Sequence, residues 1–135
     1  MKLCPCKSSK RYMDCCGLYI KGKAIPQTPE ALMRSRYSAF HEKDSSYIKK
    51  TMRAKALENF NMQNFKRSRE KWIGLRILHT YLDATLADVG YVEFIAKFII
   101  EDQQGFIHEV SKFHKYEGLW YYVDGLHSAQ KLNDE

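Results

Sequence analysis

The sequence predicts an α+β fold, with helices from the first half packed on a curved antiparallel sheet made by the second, and a small polar appendage in front. Three observations carry this. The apolar period changes from helical to alternating after Trp72. Turn residues then separate four alternating runs, the pattern of an antiparallel meander. All four cysteines fall between Cys4 and Cys16, so the rest of the 135 residues has no thiol. The length fits one domain, or one domain with an appendage. At 44% hydrophobic and 13% aromatic residues, a disordered chain is excluded.

The appendage is CPCKSSKRYMDCCG, Cys4 to Gly17. Three readings of its thiols compete. A disulfide framework needs an oxidising compartment, and the start MKLCPCKSS lacks the apolar stretch of a secretory signal. Apolar runs are also too short to cross a membrane, so a cytoplasmic protein with reduced thiols is expected. A Cys15–Cys16 bridge would be a strained ring and Cys4–Cys6 nearly as cramped, while cross pairs such as Cys4–Cys15 stay open to geometry. Four separately buried cysteines suit the polar surroundings poorly. Metal binding fits best. Four thiolates around one tetrahedral ion lie about 3.8 Å apart when each metal–sulfur bond is near 2.3 Å. Cys4 and Cys6 point the same way from an extended strand. Cys15 and Cys16 both reach the ion if the backbone turns there, with Gly17 to help it. An all-sulfur set argues for one structural zinc, with iron the nearest competitor.

After a connector, residues 18–27, Thr28 reads as an N-cap, with Pro29 at the first helical position and Glu30 in the first turn. This helix runs to about Glu42 and carries Leu32, Met33, Tyr37 and Phe40 on its apolar face. Asp44 or Ser45 caps a second helix with the stripe Tyr47, Ile48, Thr51 and Met52. Residues 54–71 read as one or two short helices around Leu57, Phe60 and Phe65. Strands follow near 74–84, 89–102, 106–116 and 119–124. Val92, Phe94, Ala96, Phe98 and Ile100 line one face of the second. Ile107, Glu109, Ser111 and Phe113 share a face of the third. Residues 102–105 form one hairpin loop, Glu117-Gly118 a tighter one, and the tail from Leu126 reads as loose.

The appendage resembles the SEC-C motif, a small zinc knuckle found at the C-terminus of the translocation ATPase SecA and in many bacterial proteins. Cys4, Cys6, Cys15 and Cys16 match its ligand positions, and Ser8 and Tyr12 its internal ones. Lys7 and Ser9 replace its two usual glycines. PEALMRSRYSAF at 29–40 and LWYYVDG at 119–125, with FIAKF between them, are similar to the bacterial YchJ-like family. That resemblance implies a knuckle at 1–25 and an NTF2-like (cystatin-related) domain at 26–135. It implies no established activity.

Net charge is +6, and residues 1–23 hold six basic residues against Asp14 alone. The basic knuckle, through Lys7, Lys10 and Arg11, is the candidate contact for an anionic partner such as ribosomal RNA or an acidic protein face. SEC-C knuckles in SecA-like settings imply binding to the chaperone SecB and the ribosome. Arg34, Ser38 and His41 share one face of the first long helix, read as solvent. Arg36 lies nearer the apolar stripe and is expected to enter the domain and pair with Glu109, with Trp120 at a pocket mouth. His79, His108 and His114 read as surface or satisfied groups. No Ser-His-Asp order, nucleotide loop or carboxylate pair stands out. The leading expectation is a zinc-binding, non-enzymatic adaptor; the alternative is a small-ligand binder or enzyme using the NTF2-like cavity.

Overall fold

The computed structural model describes residues 2–131, and side chains as far as residue 125. A 3-10 turn at Tyr12–Asp14 leads into α1 (Cys16–Ile20). Then come α2 (Pro29–Glu42), α3 (Ser45–Lys50), α4 (Ala54–Glu58) and α5 (Met62–Arg67). The strands β1 (Lys71–Leu82), β2 (Val89–Ile100), β3 (Gln103–Tyr116) and β4 (Leu119–Lys131) form one antiparallel sheet in sequence order. Among the described residues, no helix is long and apolar enough to cross a membrane.

Local chemistry places the helix ends. Thr28 Oγ1 accepts the Ala31 N–H at 3.1 Å, and Pro29 follows with no donor of its own to satisfy. α2 stops where Lys43 turns left-handed, at φ 62°. Asp44 caps α3 through the Tyr47 N–H, and Asn61 caps α5 through that of Asn64. The ambiguous stretch resolves into two helices, of which only Phe65 is buried at 8% exposure.

The strands run longer than the sequence pattern suggests. β1 begins at Lys71 rather than near 74, with a register shift between Trp72 and Gly74. The expected loop at 102–105 is a two-residue turn instead. Ile100 pairs with Gln103, and Glu101 and Asp102 both sit at positive φ, 48° and 69°. Two central residues with positive φ give the turn whose twist matches the strands it joins. Glu117-Gly118 repeats that geometry. The expected loose tail is corrected too: β4 pairs with β3 as far as Lys131, opposite Gly105. Its backbone hydrogen bonds supply the order that its polar sequence does not advertise. Residues 132–135 lie outside the described residues.

The sheet's inner face carries Val92, Phe94, Ala96 and Phe113 against Leu32, Met33 and Tyr37 of α2. Cys4, Cys6, Tyr12 and Cys16 belong to the same cluster. A second cluster holds Ala39, Tyr47, Ile48, Met52 and Phe65. α2 is therefore covered on two sides, by the sheet and by the knuckle.

Candidate functional site

The knuckle closes on itself first. Leu3 bridges Arg11 in antiparallel fashion, and the Cys4 N–H donates to the Lys10 carbonyl at 2.9 Å. Between those arms, Lys7 and Ser9 hold φ values of 67° and 72°. These are the two positions where the SEC-C pattern has glycine, so the loop keeps the glycine conformation without the residue. That conformation costs about 1–2 kcal/mol at each L-residue. The turn that brings two adjacent thiols inward is made by Cys15 itself, at φ −132° and ψ −117°. Gly17 sits inside α1 and has another role. A Cβ there would meet the Tyr12 carbonyl oxygen at 2.7 Å, so its bareness lets α1 pack on the 3-10 turn.

The four sulfurs converge within 4.8 Å of one another. Cys4, Cys6 and Cys16 are buried and Cys15 is half-buried; all four are free thiols. Hydrogen bonds surround them. Ser8 Oγ lies 3.2 Å from Cys15 Sγ, and Ser38 Oγ lies 3.5 Å from Cys4 Sγ. The Arg34 guanidinium donates to the Cys6 carbonyl at 2.9 Å and reaches Cys6 Sγ at 3.7 Å. This corrects the reading of Arg34, Ser38 and His41 as a solvent face. Ser38 is fully buried, Arg34 half-buried, and His41 alone exposed. The polar face of α2 is polar because it meets sulfur and backbone rather than water. Only the pairing of that face with the cysteine set could have revealed this, and neither segment shows it alone.

The thiols crowd one another. Hydrogen bonds from Cys16 and Cys6 hold Cys4 far below the ordinary thiol range. The same contacts push Cys16 far above it, and burial raises Cys15. Four such groups cannot all ionise side by side without a counter-cation. A divalent ion at their centre removes the conflict, and four inward sulfurs at this spacing suit a closed tetrahedral site. The donor set thus fits a metal ion held by Cys4, Cys6, Cys15 and Cys16.

On the other side of α2 lies a cavity of about 160 Å³, lined by Met33, Arg36, Tyr37 and Phe40 of the helix and by Trp72, Phe94, Ala96, Ile107, Glu109, Ser111, Phe113 and Tyr122 of the sheet. Polar groups gather at one end. Arg36 donates to the Ile48 carbonyl at 2.9 Å and to Thr51 Oγ1 at 2.6 Å, with its guanidinium 4.7 Å from the Tyr122 ring centroid. Burial pulls it down to about 10 against the fields of Tyr122 and Glu109. Glu109 accepts from Ser111 and from the Tyr122 hydroxyl. The expected Arg36–Glu109 pair is thus an interaction through space. The helix carbonyl and Thr51 take the guanidinium's described hydrogen bonds because α3 lies nearer than β3. Tyr37 Oη is buried with no hydrogen bond among the described residues. Trp120 is placed elsewhere: it is buried, with Nε1 donating to the Gln27 carbonyl at 3.3 Å, and Tyr122 takes the cavity position instead.

Lys7 and Lys10 are exposed; Arg11 is tied to Asp14 at 2.6 Å. His108 meets Glu93 at 2.7 Å, and His114 meets Tyr116 at 3.2 Å.

A four-stranded antiparallel sheet holding a cavity beneath a long helix, with a four-cysteine knuckle packed on that helix, defines an NTF2-like domain carrying a SEC-C-type metal-binding motif. The chain belongs to the YchJ-like family: the description "YchJ, middle NTF2-like domain" matches residues 28–125. A UPF0225 protein of Sodalis glossinidius is 42% identical over 136 residues, covering 96% of this chain and 86% of that protein. The UPF0225 protein YchJ of Shigella dysenteriae is 39% identical, covering 98% and 88%. Among solved structures, a SEC-C motif containing protein from Rhodopseudomonas palustris, determined in solution, superposes with a TM-score of 0.82 at 35% identity, covering 93% of this chain and 98% of that one. A crystallised SEC-C motif containing protein from Psychrobacter arcticus gives 0.74 at 28%, covering 90% and 80%.

Proposed function

We propose that this chain is a cytoplasmic small-ligand-binding protein. Its NTF2-like body holds an apolar molecule in the cavity beneath α2, and its knuckle holds a structural zinc ion that clamps that helix. The cavity is the observation that carries the reading. A domain that only displayed a knuckle would gain stability by filling its core. A cavity of about 160 Å³ with aromatic walls and polar groups at one end has the form of a ligand site. An apolar cavity of roughly 150 Å³ admits benzene, so a single aromatic ring with one polar substituent is the right scale. The all-sulfur donor set favours zinc, and the reducing cytoplasm keeps those thiols available.

The test is a two-dimensional amide NMR titration of the zinc-loaded protein with phenol and indole. Saturable shifts are expected at Phe94, Ile107 and Tyr122, and are lost in Ala96→Leu, which fills the cavity while the melting point stays within a few degrees. Absence of saturable shifts, or equal shifts in Ala96→Leu, overturns the reading.

A second reading keeps the knuckle as a contact surface for ribosomal RNA or an acidic protein. It is favoured by the exposure of Lys7 and Lys10 at the knuckle's tip. Arg11 contributes less free charge, since Asp14 holds it. Ribosome co-sedimentation that weakens in the Lys7→Ala/Lys10→Ala variant, with zinc content unchanged, would support this surface.

A further inference from the structure

A basic groove lies on the body, lined by residues that belong to neither the cavity nor the cysteine cluster. The segment Thr51–Arg53 runs beside β4: the Tyr122 N–H donates to the Thr51 carbonyl at 2.9 Å, and the Arg53 N–H donates to the Tyr122 carbonyl at 3.1 Å. This fixes Arg53 against the sheet face that carries Tyr121, opposite the cavity face that carries Tyr122. The guanidinium lies 4.2 Å from the Tyr116 ring centroid and 5.2 Å from that of Tyr121. Those two rings meet edge to face at 5.9 Å. Lys49 and Lys50, at the end of α3, border the same groove of about 680 Å³.

Arg53, Lys49 and Lys50 are all exposed. Among the described residues none of the three meets a carboxylate, whereas Lys2, Arg11, Arg34 and Arg69 each do. A guanidinium stacked on aromatic rings still directs its N–H groups outward in its own plane, the geometry that takes a phosphate in two parallel bonds. Cations without counter-charge raise the local positive potential. Cations interleaved with aromatic rings are how proteins hold single strands without reading sequence. One isolated phosphate would meet only part of a set spread over α3 and the Thr51–Arg53 segment, beside the tyrosines of the β3–β4 hairpin. An acidic protein face would have no use for the tyrosines. We propose that this groove binds the phosphate backbone of single-stranded nucleic acid.

The test is fluorescence anisotropy of a labelled oligouridylate of about a dozen nucleotides with the full-length, zinc-loaded protein across a salt series. Three phosphate contacts predict a slope of log affinity against log salt near −2, at about −0.7 for each contact to a single strand. Lys49→Glu/Lys50→Glu should weaken binding at least tenfold and flatten the slope. Tyr121→Leu should weaken it several-fold while the slope stays put. Lys7→Ala/Lys10→Ala on the knuckle should change nothing, and circular dichroism should show every variant folded. The proposal is overturned by no binding at 50 mM salt, by equal losses from groove and knuckle variants, or by equal competition from inorganic pyrophosphate or polyglutamate. The last two would make the groove a small-phosphate site or an acidic-protein contact instead.

Discussion

At the residue scale, two side chains of α2 carry the metal centre's dependence on the body. Ser38 and Arg34 offer hydrogen bonds to Cys4 and Cys6, while Ser8 of the knuckle itself offers one to Cys15. Donors to a thiolate lower its charge density and fix its direction, and loss of such outer partners typically costs about 10–100-fold in metal affinity. Arg34→Met keeps the stem's packing and removes the donors; Ser38→Ala removes one hydroxyl. Each variant should release zinc to a competing chelator about tenfold faster than the parent, and the sulfur-to-metal charge-transfer band of the cobalt-substituted protein should shift. A variant that melts lower yet releases zinc at the parental rate, with an unchanged cobalt spectrum, would mean that the side chain only packs. The convergence of the four cysteines was legible in the sequence because chemistry restricts which residues suit a metal. Their supporting partners were not, because serine and arginine on a helix look the same facing water or facing sulfur.

At the scale of elements, the hairpin turns test how far local geometry is compensated. Glu101-Asp102 occupies a turn that needs positive φ twice, without the Asn-Gly pair that adopts it most readily. The double variant Glu101→Asn/Asp102→Gly should stabilise the protein by about 1 kcal/mol, since a left-handed L-residue costs about 1–2 kcal/mol and glycine's greater unfolded freedom returns part of that. The melting point should rise by about 3 °C in a domain of this size. An unchanged or lower value would show that the Arg69–Glu101 ion pair, at 2.5 Å, holds the turn more firmly than its exposure suggests. This turn also shows why strand ends were misplaced in the sequence reading. Glycine at 105 draws the eye as a turn signal, but Gly105 is buried and pairs with Lys131 within the sheet. The starts of α2 and α3 fared better, because Thr28-Pro29 and Asp44 cap with side chains whose role is local and visible in the sequence, whereas the Asn61 cap went unread in the ambiguous stretch.

At the scale of the whole molecule, the knuckle and the body share one core through α2, and the cavity lies on that helix's other side. α+β architecture was legible because periodicity fixes which faces are apolar. The join was not, since it depends on which side of a helix a separate module covers. The shared core buries phenols, which gives stability a specific dependence on pH. Burial, partly offset by the nearby Gly74 amide, pushes Tyr37 up to about 12, and burial pushes Tyr47 up to about 12 as well. Burial also raises Tyr122, with Glu109 adding to it, and raises Tyr12. Unfolded tyrosine titrates near 10. Between about pH 10 and 12 the folded chain therefore holds more protons than the unfolded one, and stability falls as pH rises. This contribution is fully present below pH 10 and is lost as the pH passes the folded values. Arg36 acts in the opposite sense, because burial lowers it to about 10 and the folded state sheds its proton first. One arginine against four tyrosines leaves the net sign unchanged. Guanidinium unfolding followed by circular dichroism from pH 8 to 12 should show a denaturation midpoint that declines above pH 10. Phenolate absorbance near 295 nm should show a late phase of about four of the nine tyrosines, coincident with loss of the folded signal. Ionisation of all nine in a single phase, with the circular dichroism intact, would place those hydroxyls in contact with solvent and remove the shared core as the source of the effect.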